Sequence, residues 1–164
     1  MKFNEQHIEP GKAALIVVDV QNDYCHPDGA CARRGSDVSG VKPMVPRLQA
    51  LIEGAREHGV PVIFIQTFHE QATDSAAWTA RSDGRSGEVC RTGSWGAEFY
   101  EVSPKPGDII VNKHRYSAFV NTRLDSVLRT LKAQTLIMTG VSTNVCVEST
   151  ARQGYMLDYN IVLA

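Results

Sequence analysis

The chain has 164 residues, is 43% hydrophobic and carries a formal net charge of -1. That length holds a full core, and residues 1–164 read as one domain. So neutral a balance leaves no electrostatic footprint for nucleic acid or an anionic membrane surface, and no apolar run approaches the ~20 residues that span a bilayer.

The opening residues, MKFNEQHIEPGK, lack the apolar stretch of a secretory signal. Cys25, Cys31, Cys90 and Cys146 form no C-x-x-C pair and no Cys/His group at zinc-ligand spacing. Reduced thiols in a cytoplasmic protein are the expectation.

Ala13 to Val18 (AALIVV) is a continuous apolar run, as in a strand buried on both faces of a parallel sheet. Asp19 follows at the carboxyl edge of that strand, where open α/β sheets place their ligands. A turn or cap role is the alternative, and it suits Asp23 better. Residues 24–40 are rich in Gly, Pro and Asp and read as a loop. From about Pro43, the apolar positions Leu48, Leu51, Ile52 and Ala55 mark an amphipathic helix ending near His58 and Gly59. Pro61 to Ile65 is a second buried strand, and strand, helix, strand implies a right-handed parallel crossover.

Residues 67–107 are the least regular part. Trp78, Trp95, Phe99 and Tyr100 fall here, either filling the core or walling a pocket. His69, just past the second strand, has no neighbouring Asp or His partner and makes a poor metal ligand. Asp108 to Asn112 is a third strand. Lys113 at its end is an ordinary solvated terminus unless other groups converge on it.

The next helix takes Asn121 or Thr122 as N-cap, with Thr122 and Asp125 spaced as a capping box, and Leu124, Val127, Leu128 and Leu131 as its apolar face. Thr135 to Gly140 is another buried strand. Ser142, Thr143 and Asn144 suit a helix start, and Val147, Ala151, Gly154 and Tyr155 lie along one face of the helix that follows. Cys146 falls in its first turn, where unpaired N–H groups and the helix dipole favour a thiolate. The alternative for Cys146 is a small apolar residue packed between helix and sheet. Asn160 to Ala164 reads as a fifth strand.

Three strands thus end in Asp19, Lys113 and Cys146, and in a parallel sheet their carboxyl ends share one edge. A cysteine nucleophile, a carboxylate to take and return its proton and an ammonium to balance the charge are the parts of a thiol hydrolase.

The segments ALIVVDVQND, NKHRYSAF…NTRLDSVLR and TGVSTNVCVESTARQGY, in this order, resemble the isochorismatase-like cysteine hydrolases over nearly the whole chain. The resemblance implies a Rossmann-like three-layer α/β/α fold with a mostly parallel central sheet. It implies a triad of Asp19, Lys113 and Cys146, a non-proline cis peptide at Val141–Ser142, and an oxyanion hole from the backbone N–H groups of Ser142 and Cys146. It also implies a homo-oligomer, no cofactor, and a chain that usually continues past the strand ending here at Ala164.

Among the activities of that superfamily, isochorismatases cleave a vinyl ether and commonly lack the cysteine, so Cys146 argues against that branch. Nicotinamidases carry a metal site of one Asp and several His after the second strand; FIQTFHEQATD offers only His69, so no metal is expected. GSW, PKPGDIIVNKHRYSAFVNTRLDSVLR and TNVCVESTARQGY look most like the ureidoacrylate amidohydrolase group. The expected activity is cleavage of a small ureido, carbamoyl or amide compound through a Cys146 acyl-enzyme, with Asn22, Tyr24, Arg115 and Trp95 at the substrate. Arg115 either pairs with a substrate carboxylate in a bidentate fork or bonds loop carbonyls. Vinyl-ether hydrolysis and a non-catalytic scaffold are the competing readings.

Overall fold

A computed structural model describes residues 9–81 and 85–164. Its strands are β1 (Ala13–Val18), β2 (Val62–Thr67), β3 (Ile109–Lys113), β4 (Thr135–Gly140) and β5 (Asn160–Leu163). They form one sheet in the order β3-β2-β1-β4-β5, every pair parallel. Its helices are α1 (Asn22–Cys25), α2 (Ala30–Arg33), α3 (Val41–Glu57), α4 (Ala76–Ala80), α5 (Leu124–Thr130) and α6 (Glu148–Met156).

The period-2 alternation of β1 explains the layering. Ala14, Ile16 and Val18 face Leu124 and Leu128 of α5 and Ala151 of α6. Ala13, Leu15 and Val17 face Val41, Val45, Leu48 and Ile52 of α3. Every residue of β1 is therefore buried, which is why it reads as an unbroken aliphatic run. The result is the three-layer α/β/α fold expected from the sequence.

From β1 the chain runs outward through β2 to β3, then returns to lay β4 on the other side of β1. That reversal opens a crevice at the carboxyl ends of the strands, the usual place for a ligand in such sheets.

Four local readings change. The helix read from about Pro43 starts at Val41, with Pro43 in its first turn, where a missing N–H costs little. Helix α5 starts at Leu124 with no side-chain cap from Arg123; the Thr122 hydroxyl instead accepts from Leu124 N at 3.0 Å, and Asp125 is engaged by Arg129 and Tyr159. Between β4 and α6 lies a π-helical turn, Thr143–Val147, so Cys146 sits in a wide turn and not in the first turn of a regular helix. Tyr155, at the margin of the apolar stripe, turns to solvent and is 72% exposed. No helix among the described residues is long and apolar enough to cross a membrane.

Candidate active site

Asp19 is where β1 ends. Its backbone is left-handed, with φ 51, a conformation that Asp tolerates better than most residues. Its N–H still bonds Ile65 O at 3.0 Å, so the side chain stays fixed to the edge of the sheet.

Lys113 ends β3, beyond β2 from Asp19. Its register partner is Thr67, the last residue of β2, so the two side chains share a face. The lysine extends past Thr67 toward β1. Its Nζ donates to Thr67 Oγ1 at 2.7 Å and to Arg115 O at 3.0 Å, and lies 2.7 Å from Asp19 Oδ2. Thr67 Oγ1 donates in turn to Asp19 Oδ1 at 2.9 Å. Cys146 Sγ stands 3.5 Å from Lys113 Nζ. The ends of β1, β2 and β3 and the turn after β4 thus converge on one point. Lys113 is 1% exposed, far from a solvated terminus, and this burial is tolerable because the ammonium is paired and hydrogen-bonded.

Lys113 Nζ and Asp19 Oδ2 form an ion pair at 2.7 Å, and among the described residues Oδ2 takes no further hydrogen bond. A lone pair of Oδ2 is open to a thiol proton. Burial, then the Asp19 carboxylate, push the Cys146 thiol up to about 12, with Lys113 pulling the other way. The expected thiolate therefore gives way to a thiol, because desolvation and a neighbouring anion outweigh the turn's N–H groups. Burial lowers the Lys113 pKa, but Asp19 and Cys146 outweigh it, and the net shift is upward.

Buried hydrogen bonds hold these elements in place. Gln21, on the loop after β1, donates through Nε2 to Thr67 O at 2.9 Å and Ala97 O at 2.8 Å, and accepts from Thr67 N at 2.7 Å. The Thr150 hydroxyl donates to Cys146 O at 2.7 Å and accepts from Ala118 N at 3.0 Å, tying α6 to the segment after Lys113. Gly140 has φ 105, and a Cβ there would run into the Val18 backbone, so glycine alone fits the exit from β4. The Val141–Ser142 peptide that follows is cis.

A cavity of about 250 Å³ opens over Cys146. Tyr24, Ser142, Val145, Trp78, Arg81, Arg115 and Tyr116 line it together with Cys146. Trp78 comes from α4, and its ring meets Tyr116 edge-on at 5.2 Å. The aromatic residues of the irregular region therefore divide: Trp78 walls the cavity, Phe99 packs on Phe64 at 5.4 Å, and Trp95 meets His26 at 5.0 Å on the surface.

Of the residues expected at the substrate, Tyr24 and Arg115 line the cavity and Asn22 and Trp95 do not. The Asn22 amide is directed away, donating to Trp95 O at 2.8 Å, and Trp95 is 47% exposed. Arg115 gives its guanidinium to the His114 and Thr73 carbonyls at 2.7 and 3.1 Å, the loop-bonding alternative. Asp23 takes the cap role, accepting from Ala30 N at 2.9 Å and Cys90 N at 2.7 Å. His69 lines the cavity, and burial pulls its ring down to about 4, so it is neutral at ordinary pH. Among the described residues no group of three or more His, Cys, Asp or Glu side chains is arranged to hold a metal ion.

Thr67 and Arg81 are absent from the sequence reading. Thr67 is within reach of the same edge rule that singles out Asp19 and Lys113, but the apolar run stops at Ile65 while the strand continues two residues further. Arg81 gives no such signal, because an arginine in an irregular stretch looks like any solvated charge.

An isochorismatase-domain profile matches residues 13–164. The chain is 39% identical over 173 aligned positions to ureidoacrylate amidohydrolase RutB of Methylobacterium radiotolerans, covering 96% of this chain and 67% of that protein. A cysteine hydrolase from Pseudomonas syringae pv. phaseolicola superposes with a TM-score of 0.87 at 31% identity, over 96% of this chain and 72% of the other. N-carbamoylsarcosine amidase from Thermoplasma acidophilum superposes with a TM-score of 0.76 at 30% identity, over 93% and 81% of the two chains.

Proposed function

This chain belongs to the isochorismatase family, and we propose that within it the protein is a cysteine amidohydrolase that cleaves the C–N bond of a small ureido, carbamoyl or amide compound. The observation that carries this reading is the 3.5 Å approach of Cys146 Sγ to Lys113 Nζ, beside Asp19 and within a cavity of about 250 Å³. Two relatives that are an amidohydrolase and an amidase by name support the same bond type.

In this reading the thiol proton passes to Asp19 Oδ2 as Sγ attacks the substrate carbonyl carbon. The carbonyl electron pair moves onto oxygen, where the N–H groups of Ser142 and Cys146 stabilise it. The tetrahedral adduct collapses, the C–N bond breaks, and the nitrogen leaves as ammonia or an amine with the proton held by Asp19. Water then attacks the thioester carbon and gives a proton to Asp19; the C–S bond breaks and Sγ recovers that proton. Lys113 keeps the cluster electrically balanced throughout. With the thiol held near 12, proton transfer accompanies attack instead of preceding it. Tyr24 lines the same cavity as the thiol, where a substrate would sit.

Ammonia release from ureidoacrylate, biuret, an N-carbamoyl amino acid and nicotinamide, measured for wild type and Cys146→Ala together, tests the reading. Turnover of a ureido or carbamoyl compound that falls by at least about 10³ in the variant is expected. Turnover unchanged by Cys146→Ala, or no turnover of any compound, refutes it.

A further inference from the structure

Resting on the amidohydrolase reading, we propose that Arg81 is a specificity-determining residue: it makes the cavity select ureido or carbamoyl substrates that carry a carboxylate at the end remote from the scissile C–N bond. Among the described residues four cationic side chains line this cavity, and they differ in what engages them. Lys113 faces Asp19 at 2.7 Å. Arg34 is paired with Glu88 at 2.8 Å. Arg115 donates to two backbone carbonyls. Arg81, just after α4, has no carboxylate partner among the described residues and lies with its guanidinium carbon 4.2 Å from the Trp78 ring centre and 4.7 Å from that of Tyr116.

That stacking suits an anion anchor. A guanidinium drawn to aromatic rings by its charge keeps N–H donors that can meet a carboxylate. The rings thereby limit the side chain's freedom while its donors stay able to match a carboxylate. Arg81 is exposed and lines the same cavity as the buried Cys146, which puts it on the solvent side of that cavity. A substrate with its carbonyl at Sγ and its acid group toward the opening satisfies both ends. A neutral urea or amide leaves Arg81 without a counter-ion. The sequence offers Arg115 either for this task or for bonding loop carbonyls; its guanidinium meets the His114 and Thr73 carbonyls, which leaves the task to Arg81.

The test is binding in the Cys146→Ala background, where turnover does not interfere, with 3-ureidopropionate and its neutral amide as probes in calorimetric titration. The acid is expected to bind about tenfold or more tightly than the amide, the scale of a hydrogen-bonded charge pair. Adding Arg81→Ala should abolish that preference by weakening the acid alone, and Arg81→Lys should restore part of it. The preference should also shrink as salt is raised. Equal binding of the two probes, binding of neither, or a preference that survives Arg81→Ala overturns the proposal. The two readings fail separately: an Arg81-dependent preference without hydrolysis by wild type keeps the anion anchor and sinks the amidohydrolase, and hydrolysis without that preference does the reverse.

Discussion

Thr67 and Lys113 are joined twice, as register partners on β2 and β3 and by a 2.7 Å hydrogen bond from Lys113 Nζ to Thr67 Oγ1. The same hydroxyl donates to Asp19 Oδ1, so one small side chain orients both charged members of the cluster.

Thr67→Val keeps the shape of the side chain and removes the hydroxyl. It leaves an ammonium and a carboxylate, each 1% exposed, with one hydrogen bond fewer, a loss typically costing about 1–3 kcal/mol. Hydrolysis is expected to fall by roughly 10- to 100-fold through kcat, with Thr67→Ser recovering most of it. Thermal denaturation distinguishes this from unfolding: a Val variant that melts far below wild type and recovers nothing as Ser would make Thr67 a packing residue only.

The raised Cys146 pKa gives a second prediction, whose sign can be checked directly. A thiol held near 12 stays protonated through neutral and mildly alkaline pH, so its alkylation by iodoacetamide should climb from pH 7 to 10 without a plateau. Asp19 contributes to that elevation, and Asp19→Asn removes its charge while Lys113 remains. The pKa must then fall, and alkylation near pH 8 should become faster. Hydrolysis moves the opposite way, dropping on the order of 10²–10⁴-fold, because the proton acceptor is gone. Slower alkylation in Asp19→Asn would contradict the electrostatics described here.

Much of the framework was legible in the sequence because buried parallel strands announce themselves. Three buried runs and two half-apolar edge strands marked the sheet, and three of the five led to residues that meet in space. Their order was not legible, since β1, β2 and β4 are all aliphatic and nothing in their side chains says which lies between the others. The substrate side was legible only in part. Asn22 and Trp95 bond each other through side chain and backbone instead of facing the cavity, and such pairing across residues 22 and 95 has no local signature. The state of Cys146 is not legible in the sequence, because position in the chain indicates the N–H groups of a turn but not the depth of burial or the nearness of Asp19. Burial and a carboxylate decided the outcome.

Gly140 gives a third prediction, on the fold beneath the site. It pairs with Val18 across β4 and β1, and the residues that follow these two are Val141, before the cis bond, and Asp19. A Cβ at Gly140 would strike the Val18 N, C and O atoms, all backbone, in a chain already at φ 105. Neither strand can yield without separating where the carboxylate leaves the sheet. Gly140→Ala should therefore cost at least about 2 kcal/mol, lowering Tm by about 4–8 °C, and should reduce hydrolysis as well. Gly54→Ala is the control: nothing lies within 4 Å of a Cβ there, and the residue is inside α3, where Ala is favoured by up to about 1 kcal/mol. Denaturant unfolding of the two variants should move in opposite directions. A Gly140→Ala protein as stable as wild type would mean that β1 and β4 can part at the site without cost, which the close packing of Gly140 against Val18 does not allow.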